Sequence, residues 1–171
     1  MASRQNYKRT TTGKYRYVVS ACLAGIDCTF SGGNKLNNKI ILMVKSGVAV
    51  PVCPEVIGGS SIPRERCEII AGSGSDVLCG HSVVRTVSGK DVTDKMVTGA
   101  ERTLELVRSL GITRAILKSK SPSCGLGKIY DGSFKGRLRC GNGVTAELLL
   151  KNNIRVFTER QRRLWQAKSI L

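Results

Sequence analysis

The run TDKMVTGAERTLELVRSLGITRAILK, residues 93–118, joins two periodicities across one glycine. Met96, Ala100, Leu104, Val107 and Leu110 recur at helical spacing and predict a helix over 93–110, with Gly111 ending it. Residues 112–118 then form a short apolar run of the kind that makes a buried strand. The same order repeats outward. Upstream, residues 17–21 read as a strand. Leu36, Ile40, Ile41 and Val44 read as a helix closed by Gly47, and residues 48–52 as a second strand. Downstream, a helix over 144–152 precedes a strand over 154–157. Strand–helix–strand alternation predicts a three-layer, Rossmann-like α/β domain with a mainly parallel sheet. Between these segments, 58–82 reads as loop-rich, and 83–87 followed by Ser88-Gly89 as a small hairpin or edge strand.

With 171 residues, 41% of them hydrophobic, the chain is long enough for one domain with a buried core. A mean hydropathy of −0.08 and broken apolar runs exclude a helical membrane span, which needs roughly 20 consecutive apolar residues. The opening MASRQNYKRTTTGKYRY lacks the apolar stretch of a secretory signal, so a cytoplasmic protein with reduced or metal-bound cysteines is expected. The formal net charge is +16. Arg4, Lys8, Arg9, Lys14 and Arg16 meet no acid within 1–20. Lys151, Arg155, Arg160, Arg162, Arg163 and Lys168 meet only Glu159 within 151–171. Residues 1–16 are therefore expected to be a flexible basic extension, 17–158 the domain, and 159–171 a basic segment with a helical pattern. Such ends suit polyanions such as nucleotide phosphates or RNA, and equally serve as solvated extensions.

Three of the seven cysteines follow predicted strands: Cys22 the first, Cys53 the second, and Cys124 the strand ending near Lys118. In a parallel sheet these strand ends share one edge, where ligand crevices form. Each cysteine has small or proline neighbours, as in Val52-Cys53-Pro54-Glu55 and Ser121-Pro122-Ser123-Cys124-Gly125, which stiffen a loop or bring backbone close to a bulky group. From position alone they are either metal or cluster ligands or ordinary packing thiols. A zinc-holding RNA-binding module is a further alternative, although the C-x₂-C pairs that tetrahedral zinc favours are missing. Gly32-Gly33 and Gly72-Ser73-Gly74 look like anion-cradling loops but match no phosphate-binding fingerprint. Lys118 and Lys120 stand where they would neutralise a substrate phosphate or simply end a strand in solvent. His81 reads as a surface residue, and Trp165 as a helix-packing anchor.

The ordered motifs Ser20-Ala21-Cys22-Leu23-Ala24-Gly25, Pro51-Val52-Cys53-Pro54-Glu55-Val56, Asp91-Val92-Thr93, Gly99-Ala100-Glu101, the run 115–125, Ile129-Tyr130-Asp131-Gly132 and Gly143-Val144-Thr145-Ala146 resemble the TudS-type thiouracil desulfidase family. The resemblance spans 17–158 and implies a desulfidase domain carrying a 4Fe-4S cluster. The implied reaction removes sulfur from a thiolated uracil, without net redox change, to give uracil and sulfide. Matched by motif, the ligands would be Cys22, Cys53 and Cys124, with Cys28 in reserve and Cys67, Cys79 and Cys140 incidental. Four thiolates would saturate the cluster, whereas three leave one open iron site to act as a Lewis acid. Glu55 is then the candidate general acid/base. Ser121 would bind substrate or relay a proton, unless it satisfies local backbone as such serines usually do. Asn34, Ser119 and Ser123 are further candidate substrate contacts. The implied partner is a small thiolated pyrimidine or its nucleotide, with 4-thiouridine in tRNA as the alternative and no membrane.

Overall fold

The computed structural model describes residues 15–161. In chain order its elements are β1 (Tyr17–Ser20), α1 (Asn38–Lys45), β2 (Ala49–Val52), α2 (Pro54–Ile57), β3 (Cys67–Ile70), α3 (Gly74–Leu78), β4 (Val83–Thr86), α4 (Thr93–Ser109), β5 (Arg114–Leu117), β6 (Lys128–Tyr130), β7 (Leu138–Cys140), α5 (Val144–Lys151) and β8 (Arg155–Thr158). The main sheet has the order β2-β1-β5-β8 and is parallel throughout, with Val18 opposite both Val50 and Ala115.

Because strand side chains alternate between faces, the sheet is buried twice. Val18, Val52, Ala115, Leu117 and Val156 pack against Leu104 and Val107 of α4 and Ala146 and Leu149 of α5. Tyr17, Val19 and Ile116 pack against Ile40 and Met43 of α1. The result is the three-layer α/β arrangement expected. Among the described residues, no helix is long and apolar enough to cross a membrane.

Three helices enter their following strands by one device. Gly47 (φ 73°), Gly111 (φ 65°) and Asn153 (φ 61°) adopt the left-handed conformation just past α1, α4 and α5. In each case the next amide, of Val48, Ile112 or Ile154, donates back to Met43, Val107 or Leu149. This is the Schellman pairing that satisfies orphan helix carbonyls, and its glycines are what made two of the three ends readable.

The segment expected to be loop-rich instead holds β3 and α3. β3 pairs antiparallel with β4, and Ile69, Val77 and Val84 build a satellite core with Met96, Ala100 and Val144. The 83–87 strand turns at Ser88-Gly89 and bridges Arg85 to Asp91, as a small hairpin does. Leu36 lies outside α1 and is exposed. The helix starts after Asn37, whose side chain caps the Lys39 and Ile40 amides. Ser73 and Asp76 form a capping box at α3, so Gly72-Ser73-Gly74 serves a helix start. The last two residues of the expected extension already belong to the domain: Tyr15 packs on the core and the Arg16 amide donates to Val48. The rest of that extension, the 162–171 part of the expected basic segment and Trp165 lie outside the described residues. Glu159 and Arg160 form a turn.

Candidate active site

The chain leaves β1 toward α1 on one face and leaves β5 toward α5 on the other. A crevice therefore opens outside the carboxyl ends of these adjacent strands. A cavity of about 480 Å³ occupies it, walled by Cys22, Cys28, Cys53, Cys67 and Cys124 together with Glu55, Arg64, Lys118, Ser119 and Ser121.

Cys22 sits on a single 3-10 turn directly after β1. Its carbonyl accepts from the Lys35 amide and that of Leu23 from Asn37, so both ends of the intervening loop are pinned. Cys53 is the residue before α2, and Pro54 at the first helical position presets its turn. Cys124 lies in a loop held by the orphan amides of a helix start. Gly143 donates to Gly125, Val144 to Pro122 and Thr145 to Ser123, while Ser121 Oγ accepts from the Ser123 and Cys124 amides at 3.1 Å each. A side chain on Gly143 would strike the Ser123 carbonyl, so this loop and helix meet only through glycine.

Burial and the neighbouring Cys53 push the Cys22 thiol up to about 11, against the pull of Lys118. Burial, with Cys53 and Cys22 adding, pushes Cys28 up to about 12, and burial followed by Glu55 does the same for Cys67. Cys124 is raised by burial as well. Cys22, Cys28 and Cys124 each also feel the charge of Cys53 across the pocket, whereas Cys67 feels Glu55 and Arg64.

Glu55, in the single turn of α2, receives Arg64 Nε on Oε2 at 2.8 Å, with both side chains largely buried. Burial opposes the Arg64 charge, but Glu55 beside it, with Cys53 and Cys67, more than offsets this and keeps it protonated. α2 itself rests on α4 at a glycine contact. Gly58 and Gly99 meet backbone to backbone, and Lys95 Nζ and Arg102 Nη1 bond the Gly59 and Ile57 carbonyls at 3.0 and 2.5 Å.

The donor set suits an iron–sulfur cluster: five soft thiols stand in the wall, and its one carboxylate among the described residues, Glu55, is engaged by arginine. Among the described residues, no three His, Cys, Asp or Glu side chains converge to chelate a single metal ion. A cubane binds each thiolate at a different iron, so its ligands stand apart; a lone zinc ion requires convergence.

Other expected residues fall on either side of the cavity wall. Ser119 lines it, with its hydroxyl donating to Glu159 Oε1 at 2.7 Å. Lys118 also lines it and is paired with the same oxygen at 2.6 Å, so its charge is already met. Lys120 lines the wall. Asn34 does not: it is exposed and held to Asp27 at 2.7 Å. Nor does Ser123, which is fully buried with its hydroxyl on Thr145 at 2.8 Å, a packing position rather than a contact surface. His81, Cys79 and Cys140 are exposed and away from the site. The sequence reading does not anticipate Arg64, Cys67 or Glu159; the charged triplet Arg64-Glu65-Arg66, in a stretch otherwise short of charge, was the one available signal.

A doubly wound α/β domain with a thiol-walled crevice at its strand ends defines the class of protein. Within that class, the chain belongs to the 2-thiouracil desulfurase family, which it matches over residues 17–161. It is 45% identical over 144 residues to YbbK of Bacillus subtilis (strain 168), itself described as uncharacterized, covering 84% of this chain and 95% of that one. The solved structure of a [4Fe-4S]-dependent thiouracil desulfidase, TudS, is similar with a TM-score of 0.77 and 39% identity over 88% of this chain and 94% of that chain.

Proposed function

We propose that this protein is a [4Fe-4S]-dependent desulfidase that takes sulfur from a thiolated uracil, releasing uracil and sulfide. The observation that carries the reading is the gathering of thiols from separate strand-end loops into one crevice with Glu55 beside them. Cys22, Cys53 and Cys124 would hold the cluster. When bound, it supplies a Lewis-acidic iron for a soft thiocarbonyl sulfur. The chain's own residues then do the proton work. Glu55 takes a proton from the water that attacks the ring carbon and returns one to the leaving sulfur. Ser121, whose oxygen already accepts two amides, has its hydroxyl proton to donate to the base.

Lys35, Lys120 and Arg160 line the same cavity, which favours substrates that bring a phosphate: a thiouridine nucleotide, or 4-thiouridine within tRNA. The test is anaerobic reconstitution, quantification of iron and acid-labile sulfide, and assay of 2-thiouracil, 4-thiouridine monophosphate and thiolated tRNA. Iron-loaded protein releasing sulfide and the oxo-pyrimidine is expected. Loaded protein inert on all three, or protein that takes up zinc and no iron, overturns the reading.

A further inference from the structure

We infer that Arg64 is a positioning residue for catalysis, holding the Glu55 carboxylate toward the cavity by tying it to the loop that carries Cys28. This rests on the acid/base reading of Glu55 above. A glutamate on a one-turn helix has three side-chain torsions to fix, and the residue before α2 provides no side-chain cap. Arg64 supplies what α2 lacks. Its Nε reaches Glu55 Oε2 at 2.8 Å, Nη2 reaches the Cys28 carbonyl at 3.1 Å, and Nη1 reaches the Ser61 carbonyl at 3.3 Å. Its own amide donates to Phe30 at 2.8 Å, so the backbone from which the guanidinium projects is anchored too.

A planar guanidinium fixed at two carbonyls presents its third donor at a defined point, which a flexible ammonium cannot do. The bond takes Oε2 alone and leaves Oε1 for proton transfer. The Cys28 carbonyl that receives Arg64 also lies 3.8 Å from Cys53 Sγ, so one peptide oxygen registers the carboxylate and a candidate ligand against each other. Arg64 is 11% exposed and lines the cavity, which separates it from the surface ion pairs that contribute little.

The experiment compares Arg64→Met, Arg64→Lys and Glu55→Gln after reconstitution, with kcat and KM for 2-thiouracil measured beside iron and acid-labile sulfide per chain. Arg64→Met is expected to lower kcat about 10²-fold, the scale of a misplaced catalytic group, with KM and iron content little changed. Arg64→Lys, which keeps the fold's charge and one bond to Glu55, is expected to recover part of kcat. Arg64→Met at wild-type kcat overturns the proposal, and so does a fall in kcat that only tracks lost iron. Should Arg64→Met fail to fold, Arg64→Lys with wild-type kcat overturns it equally. Glu55→Gln at the wild-type rate is the separate result that removes the acid/base reading itself.

Discussion

Five thiols share the cavity wall, and substitution is expected to sort them. Cys22, Cys53 and Cys124 each changed to Ser should drop iron and acid-labile sulfide per chain, while Cys28→Ala and Cys67→Ala should leave both near the wild-type value. Loss of iron in Cys28→Ala would make it a ligand in place of one of the three. Away from the thiols, Glu159 knots β5 to β8, receiving Lys118 Nζ at 2.6 Å and the Ser119 amide at 2.9 Å. Burial alone would push its carboxyl up, but the Lys118 and Ser119 hydrogen bonds outweigh burial and hold it below its ordinary 4.5. A carboxyl lowered on folding contributes stability above its unfolded value and loses it as pH falls through the folded value. Wild-type protein should therefore melt higher than Glu159→Gln at neutral pH, and the gap should close below about pH 4.5. An unchanged gap in acid would assign the effect to packing.

At the scale of elements, α2 is too short to hold its own position. It carries Glu55 and follows Cys53, yet it has four residues and leans on α4 through Gly58 and Gly99. A Cβ at Gly99 would meet the Pro54 carbonyl, so Gly99→Ala must push α2 outward. Overpacking of this kind costs about 1–3 kcal/mol. The expected result is a lower melting temperature together with a lower kcat, because the displaced helix takes the carboxylate with it; a variant that melts lower yet turns over normally would show that α2 tolerates the shift. The Gly99-Ala100-Glu101 motif was visible in the sequence without its reason, which is this contact. β3 and α3 went unseen for physical causes as well. Cys67-Glu68-Ile69-Ile70 buries Glu68, whose Oε2 accepts the Gly132 and Phe134 amides at 3.0 Å each, so the strand lacks polar–apolar alternation. α3 buries only Val77 among large side chains.

Over the whole molecule, what was legible is what repeats or terminates: apolar periods, glycines past helix ends, and cysteines just beyond strands. Arg64 and Glu159 act through partners 9 and 41 residues away, and such pairings leave no period to read. Asn34 and Ser123 lie off the cavity wall, held by Asp27 and Thr145; a sequence does not say which way a short polar side chain points. Charge is a property of this scale too. Deleting 1–14 and 162–171 removes Arg4, Lys8, Arg9, Lys14, Arg162, Arg163 and Lys168. That deletion is expected to leave 2-thiouracil turnover unchanged while flattening the salt dependence of tRNA binding. An unaltered slope would show that these ends do not hold the RNA backbone. The register of the sheet also dictates an order of assembly. β5 docks beside β1 across almost a hundred residues, Tyr17 against Arg114, and only that docking brings Cys124 to the edge where Cys22 and Cys53 already stand. A ribosome-bound chain halted before β5 would own two of the proposed ligands and no cage. On the proposed ligand set, cluster assembly therefore follows the synthesis and docking of β5 and of the loop that carries Cys124.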